Sequence, residues 1–386
     1  MKTTWPRFAD DEIAAAVRVL KSGRVNQWTG EEVAAFEEEF RKFVGAGYAV
    51  AFANGSLALE AAFSCLGLRP GSEVIVPART FVATAMSVVR SGLTPVFADV
   101  GEDGLSRAAH FEAAVTTRTT GVCTVSLGGK AVDPAAFGVG LRELPTVEDC
   151  AQALGARYPI ARGEEGFPQH VGTRGSVGVF SFCQDKIMTT GGEGGMCVTN
   201  DYMLYRKLWS WKDHGKCYEK AYASARGEYK WCHSSVGTNA RMTEMQAAIG
   251  RVQLKKVPGW VEKRRKLATR LHERLSEIRS LRTVPVDPGD ACYRYYAYAE
   301  NLAEWWPRDR VVADLIRRGV QCGQGICPEV YREHAFYNGL RFCHKARELS
   351  MTAIMFKLDP TMTPKYIDET AAHVKEVMRK ACTRSA

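Results

Sequence analysis

The feature that most constrains this chain is an alternation of short apolar segments with helix-like segments between about residues 50 and 200. Six of the apolar segments predict β-strands, because they are rich in Val and Phe and are bounded by Gly, Pro or Asp. They are Glu73–Pro77, Thr94–Val100, Val122–Leu127, Pro145–Asp149, Val177–Phe182 and Gly195–Asn200. Nearly continuous apolar strands separated by helices indicate a mainly parallel sheet with helices on both faces. Ligands bind beyond the carboxyl ends of such strands, so the residues that follow them are the candidate site residues.

A long helical segment follows, and Thr243 and Gln246 at its start have the spacing of a capping box. Pro258 and Gly259 predict a break or kink within this helix. Short strand-like pieces and more helix come after it. In a chain of 386 residues we therefore expect a large domain at residues 1–250 and a smaller C-terminal α/β domain at residues 251–386.

Composition and charge exclude several classes of protein. The chain is 46% hydrophobic and 25% charged, as ordinary globular proteins are. No apolar run approaches the ~20 residues of a membrane span, and the N-terminus lacks an apolar signal core, so we expect a cytoplasmic protein that binds no membrane. The formal charge of +9 is dispersed and no nucleic-acid-binding module is recognisable, which favours small anionic ligands over nucleic acid. The 12 cysteines are scattered, which predicts reduced thiols and no metal site.

One candidate segment is the turn formed by Asn54, Gly55 and Ser56, which leads into a helix with an apolar face. Such a turn presents unpaired backbone N–H groups and the positive end of the helix dipole, and so forms an anion site. The same turn also fits an ordinary helix cap, which Ser supplies. Taken alone, this segment does not decide between the two interpretations.

Two further segments place reactive side chains after predicted strands. Asp149 ends one strand, and Gln152 follows three residues later. An acid there either caps a helix or faces a cationic ring nitrogen in the crevice, where the opposite charge keeps both groups ionised. Lys186 follows the strand that ends at Phe182 and precedes the glycine-rich stretch 191–195. Most lysines are surface charges, but a partly desolvated lysine has a lowered pKa and forms Schiff bases.

An anion site, an acid for a ring nitrogen and a Schiff-base lysine together match pyridoxal 5'-phosphate (PLP), which has a phosphate, a pyridine nitrogen and an aldehyde. With these segments the chain resembles the DegT/DnrJ/EryC1/StrS family of sugar aminotransferases, within the aspartate aminotransferase-like (fold type I) PLP enzymes. The resemblance covers nearly the whole chain and rests on several segments in the family's order. They are WTGEEVAAFEEEF from Trp28, the Gly-Ser-x-Ala-Leu turn, VIVPARTFVATA, VEDCAQALGA, FSFCQDK with GGEGG, and GTNARMTEMQAAIGRVQL.

The resemblance implies a role for each matching residue. Lys186 corresponds to the Schiff-base lysine, Asp149 to the acid at the pyridine nitrogen and Gln152 to the amide near the ring hydroxyl. The other matches are Gly55, Ser56 and Leu57 in the phosphate turn, Ser181 as a second phosphate contact, Phe81 as the aromatic ring stacked on the cofactor, and Asn239, which reaches the phosphate from the neighbouring subunit. Asn239 thereby implies a homodimer with shared active sites. The chain departs from the family at Ser56, where Thr is common, and at Ser126-Leu-Gly-Gly in place of His-x-x-Gly, which affects the substrate side.

The implied reaction is the transfer of an amino group from an amino acid, usually glutamate, to a keto sugar. A nucleotide-linked 3- or 4-keto sugar for surface-polysaccharide or secondary-metabolite biosynthesis is the expected acceptor. A keto-cyclitol (scyllo-inosose-type) aminotransferase is an alternative that no local feature separates. Related sugar dehydratases carry His in place of the lysine, so Lys186 argues against that branch. A non-catalytic PLP-binding regulatory homologue would be favoured by loss of Lys186 or Asp149, and both are present.

Overall fold

The computed structural model describes residues 5–159, 168–222, 232–326, 328–336 and 342–382. It is an α/β fold built on two sheets. The helices are α1 (Asp10–Ser22), α2 (Glu32–Val44), α3 (Gly55–Cys65), α4 (Val82–Arg90), α5 (Ala108–Glu112), α6 (Val139–Arg142), α7 (Tyr202–Lys212), α8 (Tyr218–Tyr222), α9 (Glu244–Leu275), α10 (Arg308–Arg317), α11 (His344–Thr352) and α12 (Pro364–Cys382). The strands are β1 (Tyr48–Phe52), β2 (Glu73–Pro77), β3 (Thr94–Ala98), β4 (Thr119–Val125), β5 (Thr146–Asp149), β6 (Val177–Ser181), β7 (Gly195–Thr199), β8 (Leu281–Thr283), β9 (Arg294–Ala299), β10 (Cys322–Gly323) and β11 (Ala353–Lys357).

The large sheet has seven strands in the order β1-β7-β6-β5-β4-β2-β3. β7 pairs antiparallel with both β1 and β6, and the remaining pairings are parallel. The mainly parallel sheet predicted from the sequence is therefore confirmed, with the six predicted strands forming β2 to β7. β1 was not predicted, and it lies at the edge beside the antiparallel strand β7. Helices on both faces bury the apolar side chains of these strands in two cores.

Helix α9 links the two sheets and begins where the sequence predicts. Gln246 N donates to Thr243 Oγ1 at 3.3 Å, and Thr243 N donates to Gln246 Oε1 at 2.9 Å, which completes the capping box. The predicted break near Pro258 and Gly259 is wrong, because the helix runs without interruption for 32 residues, and the alternative of a kink there stays a prediction. Proline removes one backbone donor from the helix, but the buried side chains of Val257 and Val261 hold the turns on either side in the core.

The predicted domain boundary at residue 250 falls within α9, so the division into residues 1–250 and 251–386 stays a prediction. After α9 comes the small antiparallel sheet, with strand order β10-β11-β9-β8. One face of this sheet contributes Tyr295, Ala297, Ile354 and Phe356 to a separate apolar core with α9, α10 and α12. The opposite face is turned towards the large sheet.

Within the described ranges, no helix is both long enough and apolar enough to cross a membrane. The cysteines of the described residues are free thiols; Cys327 lies outside those residues.

Candidate active site

A cavity of about 630 Å³ lies between the carboxyl edge of the large sheet and the small sheet. Seven of the predicted site residues line it: Gly55, Ser56, Phe81, Asp149, Gln152, Ser181 and Lys186. Each follows or ends one of the strands β1, β2, β5 and β6. Because these parallel strands end at the same edge, residues more than a hundred positions apart in the sequence meet in one place. Leu57 and Asn239 are not among the lining residues.

The N-terminus of α3 faces this cavity, and its cap is Asn54. Asn54 Oδ1 accepts a hydrogen bond from Leu57 N at 2.9 Å, so the Leu57 amide predicted to contact phosphate already has a partner. The interpretation of Ser56 as an ordinary helix cap is wrong, because Asn54 is the residue that caps α3. The Ser56 side chain is exposed at the cavity instead. The backbone amides of Gly55 and Ser56 and the Ser56 hydroxyl are therefore the groups that this turn offers to an anion.

A close approach between α3 and β6 brings a second hydroxyl to the same place. A Cβ atom on Gly55 would lie 2.7 Å from Ser181 Cβ and 2.9 Å from Ser181 Oγ, so only glycine permits this contact. Ser181 is the last residue of β6, and its Oγ also accepts a weak bond from Cys183 N at 3.4 Å. The turn and Ser181 thus form one cradle of N–H and O–H donors.

Asp149, the last residue of β5, is buried at the floor of the cavity. Its Oδ2 accepts from Thr84 Oγ1 at 2.8 Å, and its Oδ1 accepts from Ala151 N at 3.1 Å. Burial raises the pKa of Asp149, whereas these hydrogen bonds and the charge of Lys186 lower it in part. Within the described residues Asp149 has no ion-pair partner within salt-bridge distance. No helix begins within residues 150–159, the described segment that follows it, so the alternative that Asp149 is a helix cap is not supported.

Gln152 is held by the segment in which the chain departs from the family pattern. Gln152 Oε1 accepts from Gly128 N at 2.8 Å. Gly128 has a φ of 68°, a left-handed conformation that glycine adopts without strain. With its carbonyl oxygen bonded, Gln152 presents its Nε2 donor to the cavity, which suits a ligand hydroxyl.

Lys186 is partly buried and is anchored by its backbone. Its N–H donates to Cys183 O at 3.0 Å, and its carbonyl accepts from Trp5 Nε1 at 3.0 Å. Its Nζ lies 5.1 Å from the centre of the Tyr293 ring. Burial lowers the pKa of Lys186, although the carboxylates of Asp185 and Asp149 oppose the shift. A lowered pKa raises the fraction of neutral amine, which is the nucleophilic form.

Three residues around Lys186 were not predicted from the sequence: Asp185, Tyr293 and Arg294. Tyr293 Oη donates to Asp185 Oδ2 at 2.6 Å, and Arg294 Nη2 donates to the same oxygen at 2.7 Å. Burial raises the pKa of Asp185, but the hydrogen bond from Tyr293 and the charge of Arg294 outweigh it and lower the pKa overall. A charged residue directly before Lys186 was the available signal for Asp185. Nothing local marks Tyr293 and Arg294, because the small sheet brings them to the site.

Phe81 and Asn239, the two remaining residues that were predicted to contact the cofactor, lie in different places. Phe81 is 52% exposed although it is a large apolar side chain, and it lies on the cavity wall just before α4. An open aromatic face there suits stacking against a flat ring. Asn239 is exposed and outside the cavity of its own chain, where its backbone bridges to Asp213.

The cavity fits PLP on its own chemistry. A cradle of donors suits the phosphate, and a buried carboxylate with no ion-pair partner among the described residues suits a protonated pyridine nitrogen. A partly buried lysine of lowered pKa suits the aldehyde, and an exposed aromatic side chain suits the ring. The residues that would hold the cofactor are therefore Gly55, Ser56, Ser181, Asp149, Gln152, Phe81 and Lys186.

Comparisons with known proteins agree with this chemistry. The model of the DegT/DnrJ/EryC1/StrS aminotransferase family matches residues 6–376. The X-ray structure of an aminotransferase from Psychrobacter cryohalolentis has a TM-score of 0.91 and 40% identity, covering 99% of this chain and 100% of that chain. GDP-perosamine synthase of Caulobacter vibrioides is 34% identical over 297 residues, 76% of this chain and 75% of the relative. L-glutamine:2-deoxy-scyllo-inosose aminotransferase of Streptoalloteichus tenebrarius is 35% identical over 309 residues, 78% of this chain and 70% of the relative.

Proposed function

The chain belongs to the DegT/DnrJ/EryC1/StrS aminotransferase family and is a PLP-dependent aminotransferase, and from this premise we propose that it aminates a keto sugar. The donor is an amino acid, glutamate by family expectation. The acceptor is a 3- or 4-keto sugar carried on a nucleotide, for surface-polysaccharide or secondary-metabolite biosynthesis. The observation that carries the proposal is the convergence of Lys186, Asp149 and the Gly55–Ser56 turn on one cavity.

Each residue has a separate task in this reaction. PLP, when bound, supplies an electron sink for the carbon that loses its proton. Lys186 Nζ is the group that would hold the cofactor's aldehyde, and the same amine would move the proton between the donor α-carbon and the cofactor. A positioned acid–base group of this kind contributes roughly 10²–10⁴-fold to rate. The Asp149 carboxylate would hold a proton on the ring nitrogen, and the α3 turn with Ser181 would hold the phosphate.

A keto-cyclitol acceptor is the second candidate function, and one observation favours keeping it. The scyllo-inosose aminotransferase relative is 35% identical to this chain, a value close to the 34% of the perosamine synthase. Both acceptors present a ketone on a six-membered polyhydroxylated ring, but only the nucleotide sugar carries phosphates. A screen of keto-sugar nucleotides and inososes, with glutamate and glutamine as donors, distinguishes the two. Amination of an inosose alone would contradict the nucleotide-sugar proposal.

The working unit in this proposal is a cytoplasmic homodimer with shared active sites. Its support is Asn239, which matches the residue that reaches the neighbouring phosphate and is exposed at a distance from its own chain's cavity.

Covalent labelling tests the cofactor assignment directly. Borohydride reduction of PLP-loaded protein, followed by peptide mapping, is expected to place the label on Lys186, because its amine is the one of lowered pKa in the cavity. Lys186→Gln is the matched control and should bind PLP without becoming labelled. A label on another lysine of the wild-type protein would remove Lys186 from its proposed role.

A further inference from the structure

The cavity wall formed by the small sheet carries two cationic side chains directly opposite each other. In the antiparallel ladder of β9 and β11, Lys357 pairs with Arg294 and Met355 pairs with Tyr296. Side chains two positions apart on a strand point to the same face. All four of these residues line the cavity, as that alternation requires.

The opposite face of the same two strands fixes this orientation. Tyr295, Ala297, Ile354 and Phe356 alternate with the cavity-lining residues and are buried in the small core. A slip of one residue in register would move these apolar side chains out of the core and the two cations into it. Arg294 and Lys357 are therefore held towards the cavity by the packing behind them.

Two like charges directly opposite on neighbouring strands destabilise a sheet unless something compensates them. Arg294 has a partner, since its Nη2 lies 2.7 Å from Asp185 Oδ2 and its guanidinium lies 4.0 Å from the Tyr293 ring centre. Lys357 is exposed, and within the described ranges no carboxylate lies within salt-bridge distance of it. The wall thus keeps a positive charge that the protein itself leaves uncompensated.

We propose that Arg294 and Lys357 form an anion subsite for a reactant, separate from the phosphate cradle at α3. This inference rests on the proposed function, because the subsite would bind anionic oxygens of the two reactants. Those oxygens come from the carboxylate of the amino donor or from the phosphates of a nucleotide-linked acceptor. A planar guanidinium beside an ammonium matches either group, by paired hydrogen bonds from arginine and a point charge from lysine.

The subsite is also coupled to the reacting amine. Arg294 contacts Asp185, the neighbour of Lys186, and Lys186 Nζ lies 5.1 Å from the centre of the Tyr293 ring on which Arg294 stacks. The positive charge of Arg294 adds to the burial that lowers the pKa of Lys186. An anion bound between Arg294 and Lys357 neutralises part of that positive charge. Reactant binding therefore weakens the effect of Arg294 on the pKa of Lys186.

Direct binding to the holoenzyme tests the subsite without requiring turnover. The probes are inorganic pyrophosphate for the phosphates and glutarate for a carboxylate, titrated by calorimetry. Lys357→Gln is expected to weaken the binding of at least one probe about fivefold, as for an exposed charge contact, and Lys357→Glu is expected to weaken it further. Lys375→Gln, which removes an exposed lysine of α12, is the matched control and should bind both probes as wild type does.

The pattern of losses identifies the source of the anion. Weakening of pyrophosphate alone, with a raised KM for the acceptor, assigns the subsite to the nucleotide. Weakening of glutarate alone, with a raised KM for the donor, assigns it to the amino acid. Binding of neither probe to wild type, or equal binding to wild type and both Lys357 variants, overturns the subsite. Failure of the proposed function would appear differently, as intact probe binding with no amination of any keto sugar.

Discussion

At the scale of single residues, Asp149 shows how position on a sheet creates reactivity. It is the last residue of a central parallel strand, so its backbone is fixed while its side chain points into the cavity. Its two donors, Thr84 Oγ1 and Ala151 N, are neutral groups and leave its negative charge uncompensated. A cationic ring nitrogen completes this environment.

Replacing Asp149 by Asn tests that role. The cradle at α3 should still hold the phosphate, so PLP affinity should be largely kept, while turnover and kcat/KM fall together. Breaking a buried charge pair costs about 3 kcal/mol, or roughly a hundredfold in rate. Steady-state kinetics with a parallel PLP titration measures both quantities. Near-normal turnover would place Asp149 outside the chemistry.

His170 gives a prediction on stability rather than catalysis. Burial lowers the pKa of His170 to about 4, and its Nε2 accepts from Gly155 N at 2.7 Å in the neutral form. An unfolded histidine has a pKa of about 6.5, so between these values the unfolded chain binds more protons than the folded one. The contribution of His170 to the free energy of unfolding is therefore complete above pH ~6.5. It is lost as the pH falls towards 4, by about 3 kcal/mol in all.

Urea unfolding at a series of pH values from 7 to 4 measures that loss. His170→Asn should flatten the dependence of unfolding free energy on pH in this window, although it lowers stability at pH 7. His334→Asn, at an exposed position, is the control and should leave the slope unchanged. An unchanged slope in His170→Asn would show that other groups produce the dependence.

At the scale of elements, the contact between α3 and β6 depends on a missing side chain. Gly55→Ala places a Cβ 2.7 Å from Ser181 Cβ, so one element must move away from the other. Overpacking of this kind lowers the free energy of unfolding by about 1–3 kcal/mol. It should also weaken PLP binding, because it separates the hydroxyl of Ser56 from that of Ser181. Thermal unfolding and PLP titration of the variant measure both effects.

The matched control is Gly259→Ala in α9, where a new Cβ meets no atom within 4 Å. Alanine there should raise the unfolding free energy by up to ~1 kcal/mol, since glycine is the poorer helix former, and should leave PLP affinity unchanged. Equal PLP affinity in Gly55→Ala and wild type would contradict the importance of the close approach.

The same elements show what the sequence predicts and where it stops. Asp149 and Lys186 were identifiable because strand periodicity locates the edge of a parallel sheet, and ligands bind at that edge. The partners of Lys186 were not identifiable, because Tyr293 and Arg294 lie 108 and 109 positions from Asp185 and meet it only through tertiary packing. The break predicted at Pro258 was wrong because burial of the flanking turns overrides a local preference.

At the scale of the whole molecule, the placement of Asn239 predicts how two chains cooperate. Mixing Lys186→Ala protein with Asn239→Ala protein should restore activity, because a mixed dimer contains one site with both residues intact. Random assortment makes this about one quarter of all sites. Activity assays after denaturation and refolding of the mixture, compared with each variant refolded alone, measure the recovery. A fully active monomer in sedimentation at assay concentration would refute shared sites.

Helix α9 also connects the large-sheet core with the small-sheet core. Its first half packs in the large-sheet core through residues such as Leu254 and Val257, and its second half packs in the small-sheet core through Leu267 and Leu271. Pro258 lies between Val257 and Val261, which both pack in the large-sheet core, and it cannot donate to the carbonyl of Leu254. The hydrogen bond that Pro258 removes therefore lies on the large-sheet side of the helix, where the packing of Val257 and Val261 holds the turn in place.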